Sequence, residues 1–275
     1  MHTFSQFLIT LISLNVLLEM KESNRSCKVA SIPSLFRSHY DSEFREAELH
    51  LDDVKFRHFR FELFSRRVRF ERVRDIFKNE SELKEKICKV VPRNAYHTPV
   101  KWLNPIYVAK TKTEIDVMLS SPLFFDIDLN LKAAKSFGVA RDTTMDLIRF
   151  IEDKFDRIPD LTVFSGRQGF HVYYWDWDFD KLVQLAPNER INRFIRERMK
   201  ILKELERAGI TVDPTVTADP FRLMKIPNTL HGKTGLIARP VENITTFDPS
   251  VHSIAFDKSY YSTLFGVDLQ FYEIS

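Results

Sequence analysis

Residues 124–130 read FFDIDLN. Successive side chains of a strand point to opposite faces. Phe125, Ile127 and Leu129 therefore share one face and can enter a core, while Asp126 and Asp128 share the other. The alternation predicts a strand over 123–129 that is apolar on one side and doubly acidic on the other. Two ionised carboxylates held this close repel, which raises a pKa or weakens the strand. A divalent cation removes the conflict, because Mg²⁺ is hard, takes oxygen ligands and bridges carboxylates to phosphates. The same D-x-D spacing also occurs as an ordinary surface pair, so on its own it leaves both readings open.

The 275 residues suit one large domain or a domain with a sizeable lobe. With 44% hydrophobic and 29% charged residues the chain is globular, and 24 phenylalanines against 7 glycines imply a dense aromatic core with few flexible linkers. A net charge of +3 neither demands nor excludes nucleic acid, so local clustering must decide. Cys27 and Cys88 are far apart and form no C-x-x-C pair, as in an intracellular protein with reduced thiols, and no zinc site can be built from cysteine and histidine spacing. Residues 4–20 are apolar and uncharged until Glu19. That is short for a membrane span and lacks the basic start and small-residue cleavage site of a signal peptide. A docking helix, an anchor, or an extension ahead of a start at Met20 would each fit, with the extension or a loosely packed helix preferred over a membrane role.

Residues 55–74 carry a period of two. Phe59, Phe61 and Leu63 alternate with His58, Arg60 and Glu62, and a turn near Ser65 would lead into a second strand over 66–70. The hairpin would present an aromatic face and a basic face, the latter either merely solvated or an electropositive wall beside a polyphosphate or nucleic-acid backbone. Helices are expected over 79–91, with Leu83, Ile87 and Val90 on one side; from a cap at Asp142 through Phe155; and from Asn188 to a stop at Gly209. Short strands at 123–129, 161–164 and 171–175 lie between them, giving an α/β (α+β) core with a mixed sheet.

Two further stretches could hold an anion. FSGRQGFHVYYWD (164–176) is strand, polar turn, strand: Gly166 and Gly169 let backbone N–H groups approach an anion, Ser165 offers a hydroxyl, Arg167 a bidentate fork, and His171 opens the next strand. IPNTLHGKTGL (226–236) contains Gly232-Lys233-Thr234, but the glycine that a P-loop needs five residues earlier is Pro227, so this is no P-loop. His231, Lys233 and the upstream Lys225 could instead contact a triphosphate, although each alone is more often a surface cation. A third carboxylate is available at Asp213 and a fourth at Asp219, and a two-metal phosphoryl-transfer centre needs three acidic ligands.

Taken together, a strand D-x-D, then S-G-R-x-G-x-H, then an aspartate followed by L-x-K-x-P-x-x-L-H-x-K-T-G-L, in that order over roughly 34–241, resembles the small catalytic subunit of archaeal and eukaryotic DNA primase. The resemblance implies a single archaeo-eukaryotic primase catalytic domain over 21–275, with residues 1–20 outside it. It implies a metal-dependent nucleotidyltransferase, a DNA-directed RNA polymerase that makes short RNA primers on single-stranded DNA. Asp126, Asp128 and Asp213, with Asp219 ranked second for the third position, would hold two Mg²⁺ or Mn²⁺ ions. Ser165, Gly166, Arg167, His171, Lys225, His231 and Lys233 would hold the ribonucleoside triphosphate, with Arg72 as a weaker match to an upstream nucleotide-contacting arginine. A large primase subunit and the replication machinery are the implied partners, with no membrane, and the compartment is cytoplasmic in an archaeon or nuclear in a eukaryote. Three departures matter: Gln168 stands where many relatives carry a second arginine, 130–141 is too short for the usual zinc knuckle so no structural zinc is expected, and the helical insert before Asp213 is reduced to little more than 188–209. A repair-type primase-polymerase using deoxynucleotides, a noncatalytic structural subunit and a two-metal nuclease are the competing readings.

Overall fold

The computed structural model describes residues 32–64, 69–106, 117–128, 136–167 and 169–249. It divides into Met1–Leu35 and Phe36–Ser275, and only the second unit is considered below. The apolar stretch 4–20, Cys27, Ser65, Leu129 and Gln168 lie outside the described residues.

Two sheets form the framework. In the first, β1 (Phe59–Leu63), β2 (Arg69–Arg72), β3 (Asn94–His97) and β7 (Met224–Lys225) run in the order β2-β1-β3-β7. In the second, β4 (Leu123–Ile127), β5 (Leu161–Phe164) and β6 (Phe170–Tyr174) run in the order β4-β6-β5. Every ladder among the described residues is antiparallel. The helices are α1 (Ile32–Asp41), α2 (Glu43–Glu46), α3 (Glu80–Val90), α4 (Ser136–Phe155), α5 (Phe179–Val183), α6 (Pro187–Arg207) and α7 (Pro214–Thr217).

The central strand β6 is buried on both faces, so it reads as an apolar and aromatic run interrupted by His171. Phe170, Val172 and Tyr174 join Leu123, Phe125 and Ile127 of β4 against Leu147 and Ile151 of α4 and Ile201 and Leu205 of α6. Tyr173 points the other way, into a second core with Phe124, Val163, Trp102 and Met224. The D-x-D strand thus lies as its alternation requires, with Phe125 and Ile127 in one core and Asp126 on the opposite face.

Local signals placed α3 and α6 well. Asn79 caps α3 by accepting from the Glu82 N–H at 3.0 Å, α6 starts on Pro187, and Gly209 follows it at φ 74°. Helix α4 differs: it begins at Ser136, and Asp142 lies within it rather than capping it. The reason is tertiary, since Phe137 stands edge-on to Phe164 at 5.9 Å and Ala140 is buried, which extends the apolar stripe toward the N-terminus. The hairpin of β1 and β2 is present, but its second strand continues past Phe70 to Arg72. Its polar face is not simply basic and solvated: His58 and Glu62 are buried there, while Phe70, the partner of Glu62, sits on it half exposed.

Arg198, in the middle of α6, is fully buried. Its guanidinium donates to both carboxylate oxygens of Asp178 (3.0 and 3.2 Å) and to the carbonyls of Ser121 (2.9 Å) and Pro122 (3.0 Å), tying α6 to the entrance of β4. Removing one member of a buried ion pair strands the other. Arg198→Ala is therefore expected to cost about 3–5 kcal/mol in urea unfolding, and Arg198→Met combined with Asp178→Leu much less.

Candidate active site

The acidic side forms where β4 meets α7. Asp126 pairs in register with His171 of β6, and its Oδ1 stands 3.8 Å from His171 Nε2. The backbone N–H of Asp213 donates to the Asp126 carbonyl at 3.2 Å, which carries the third carboxylate to the strand from 87 residues further along the chain (213 minus 126). Asp213 also caps α7, with its Oδ1 accepting from the Thr215 N–H at 2.8 Å and the Thr215 hydroxyl at 2.7 Å. Asp128 lies one residue beyond β4 and is exposed. Burial pushes the Asp126 carboxyl up to about 7; Asp128 and Asp213 push in the same direction, and Arg222 opposes them. Asp219, the second choice for the third carboxylate, is engaged in its own turn, where its Oδ1 accepts from the Phe221 N–H at 2.9 Å.

The three carboxylates share one field without forming a closed shell: among the described residues no three His, Cys, Asp or Glu side chains are already arranged to hold an ion. The chemistry of the donors nevertheless fits a hard divalent cation, because all are carboxylate oxygens and the most buried of them carries an unrelieved like-charge conflict.

The cationic side comes from two interlocked turns. Ser165 and Gly169 close the first: the Ser165 N–H donates to the Gly169 carbonyl at 2.9 Å and the Gly169 N–H to the Ser165 hydroxyl at 3.3 Å. A Cβ on Gly169 would fall 2.2 Å from the Ile127 carbonyl oxygen, so only glycine lets this turn close on the end of β4. Gly166 has φ +82°, and a Cβ there would fall 2.8 Å from His231 Cβ. Thr234 of the second turn donates its hydroxyl to the Gly166 carbonyl. Gly232-Lys233-Thr234 therefore sits in a hairpin turn between the Leu230 and Ile237 bridge residues, and not at the start of a helix as a P-loop would require.

Arg167 and Lys233 are exposed and His231 is partly buried. Burial holds the His231 pKa well below the usual value, and the charges of Lys225, Arg167, Lys233 and Arg93 add to the effect. His171 is likewise lowered, to about 3, by burial and then by Lys225 and Arg222, so it is a neutral imidazole at pH 7. Its Nδ1 has no hydrogen-bond partner among the described residues. Lys225 is buried, with its ammonium 5.2 Å from the centre of the Tyr96 ring.

These fields link Asp126, Asp128 and Asp213 to His171, and His171 through Lys225 to His231 and Arg167. Arg72 is not part of this chain of contacts. It shares a row with Arg60, Tyr96 and Lys225, but on β2 at the opposite edge of the sheet, about 14 Å from β7 at the usual strand spacing. Arg222, Asn94 and Tyr96 were not legible as site residues. No motif marks them, and only the pairing of β3 with β7 and the turn closed by the Arg222 N–H on the Asp219 carbonyl (3.1 Å) bring them in.

A sequence profile described as DNA primase small subunit matches residues 125–243. The DNA primase small subunit PriS of Pyrobaculum calidifontis is 29% identical over 247 residues, covering 75% of this chain and 76% of that protein. PriS of Archaeoglobus fulgidus is 26% identical over 241 residues, covering 66% and 71%. Among solved structures, the polymerase domain of Mycobacterium tuberculosis Ligase D in complex with DNA has a TM-score of 0.49 at 14% identity, covering 82% of this chain and 84% of that one, a likeness too slight to carry function. The likeness carried by the three motifs is thus to proteins named DNA primase small subunit, at 26–29% identity over 66–75% of the chain. No helix among the described residues is long and apolar enough to cross a membrane.

A carboxyl raised from 3.8 to about 7 takes up a proton on folding between those values, so its contribution to stability is complete below pH 4 and is lost as pH rises through 7. Asp126→Asn is accordingly expected to melt higher than wild type in chelator at pH 8, by at least about 3 °C, with the gain vanishing toward pH 4. Thermal melts across pH check this, and added Mg²⁺ should stabilise wild type but not the variant at pH 8.

Proposed function

We propose, for a chain related to the small subunits of DNA primase, that it is the catalytic subunit of such an enzyme and joins ribonucleotides into short RNA primers on a single-stranded DNA template. The observation that carries this reading is the meeting of three carboxylates, drawn from β4 and the cap of α7, with cations on two interlocked turns. That charge layout suits a nucleoside triphosphate with its divalent counterions.

Asp126, Asp128 and Asp213 would hold two ions, Mg²⁺ or Mn²⁺. When bound, such ions lower the pKa of an attacking hydroxyl and neutralise charge on the triphosphate. Asp213 arrives preoriented, since the Thr215 bonds fix one of its oxygens. The Arg167 fork and the Ser165 hydroxyl face the phosphates, with Gly166 keeping backbone close to them. Neutral His171 has one ring N–H to donate to a phosphate oxygen beside Asp126 without cancelling the carboxylate charge. Lys225 and Lys233 neutralise the far end of the triphosphate, neutral His231 offers it a hydrogen bond, and the row from Lys225 through Arg60 to Arg72 extends positive charge across the first sheet. The primer 3′-hydroxyl attacks the α-phosphate and pyrophosphate leaves. Positioning and charge neutralisation do the catalysis, so no side-chain nucleophile is needed.

A noncatalytic subunit would have no use for the like-charge conflict at Asp126, and a nuclease none for so many cations facing a triphosphate. A large primase subunit and the replication machinery complete the proposed assembly. No structural zinc is part of it, and the archaeal relatives support the cytoplasm over the nucleus as the compartment of the proposed activity.

Asp126→Ala and Asp128→Ala are each expected to abolish primer extension, by about 10³-fold or more, while melting cooperatively; activity within tenfold of wild type in both would remove the metal assignment. Arg167→Ala is expected to weaken triphosphate affinity about tenfold with template affinity unchanged, as read by titrating each ligand separately. Comparing ribonucleotide with deoxyribonucleotide incorporation tests the sugar preference.

A further inference from the structure

Asn94, at the start of β3, is buried between Lys225 and the turn that carries His231. Its Oδ1 accepts from the Lys225 ammonium and, at 2.9 Å, from the Gly232 backbone N–H. Its Nδ2 donates to Glu62 Oε2 at 2.6 Å. The amide orientation is set by its neighbours, with two donors on one side and a carboxylate on the other, so a flipped amide would lose all three bonds. Arg93 closes the ring: its Nε donates to the Gly232 carbonyl at 3.0 Å and its guanidinium lies 3.4 Å from Glu62 Oε1. Glu62 and Lys225 are themselves buried.

We infer that Asn94 is the positioning residue of the cationic cradle, fixing Lys225 on β7 and the His231 turn to a single oxygen so that both reach the same triphosphate. This rests on the reading of Lys225 and His231 as triphosphate contacts. The two come from segments with separate backbone paths, and a flexible lysine beside a loop histidine would spend affinity on being ordered. Asn94 removes that cost before the ligand arrives. The His231 ring follows Gly232, because its Nδ1 lies 3.4 Å from the Lys233 N–H and 3.3 Å from the Thr234 hydroxyl. An alanine at 232 would place its Cβ 2.6 Å from Asn94 Nδ2 and 2.4 Å from Arg93 Cγ, so the turn can dock on this pair only as glycine. The residue type also matters. Leucine would strand a buried ammonium and a buried N–H, and aspartate would set a second carboxylate against Glu62 with no donor between them.

The test titrates wild type, Asn94→Ala, Lys225→Ala and the double variant with a fluorescent ribonucleoside triphosphate in Mg²⁺, and follows steady-state extension. Asn94→Ala is expected to weaken affinity and raise KM about tenfold with kcat within about threefold. The double variant should bind worse than Lys225→Ala, but by less than the full Asn94→Ala factor, because the Asn94 bond to Lys225 is already gone while its bond to Gly232 remains to be lost. Asn94→Ala binding within twofold of wild type while Lys225→Ala binds weakly, or losses that simply multiply, would overturn the inference and leave the triphosphate reading standing. Full affinity in Lys225→Ala would overturn both. Should Asn94→Ala not fold, Gly232→Ala presses on the same amide from the other side. A tenfold loss there supports the inference, and affinity within twofold of wild type overturns it.

Discussion

One stretch of chain, 224–241, belongs to both sheets, and the site exists because of it. Met224 and Lys225 close the first sheet against β3. The chain then folds on itself between Leu230 and Ile237, and its returning arm lies along β5, with the Phe164 N–H donating to the Arg239 carbonyl and the Val241 N–H to the Thr162 carbonyl, both at 2.8 Å. Ladder bonds at both ends leave this segment little freedom to slide. Lys225, His231 and Lys233 ride on it, so their distance from the carboxylates at the end of β4 is set by sheet geometry and not by a flexible loop.

That rigidity holds opposite charges apart until something enters between them. Asp126 feels Asp128 and Asp213, while His231 feels Lys225, Arg167 and Lys233. Neutral His171 stands at the boundary, beside Asp126 and within the field of Lys225 and Arg222. Each half is unfavourable alone, since burial penalises its charges and neighbours repel. In the proposed reading, a triphosphate accompanied by divalent cations would relieve both halves at once. A site of this kind trades folded-state stability for complementarity to its ligand.

Where order along the chain carries the information, the sequence was legible. The starts of α3 after Asn79 and of α6 on Pro187, the glycine after α6, the alternation around Asp126 and the paired runs of β5 and β6 all follow from contacts between residues a few positions apart. Rejecting a P-loop at Gly232-Lys233-Thr234 was also a local decision, because the missing glycine and the absent helix are both visible in one dimension. The start of α4 was not legible, since Phe137 earns its helical turn only by packing on Phe164. Nor was Arg198, which breaks the apolar stripe of α6 yet is fully buried because Asp178 and two carbonyls meet it there. Period-based reading assigns such a residue to the solvent face.

By itself the sequence located the candidates: the D-x-D strand, the S-G-R turn and the L-H-G-K-T-G hairpin follow from spacing and residue type, and the third aspartate from the resemblance. Tertiary structure alone decided how they are grouped. The Asp213 N–H bond to the Asp126 carbonyl brings that aspartate to the D-x-D strand, strand pairing leaves Arg72 at the far edge of the first sheet, and the contact of β3 with β7 recruits Asn94 to Lys225. The physical reason is that periodicity and capping act over a few residues, whereas fields and hydrogen bonds act through space and join segments that the chain separates by 87 residues (Asp126 and Asp213) or more.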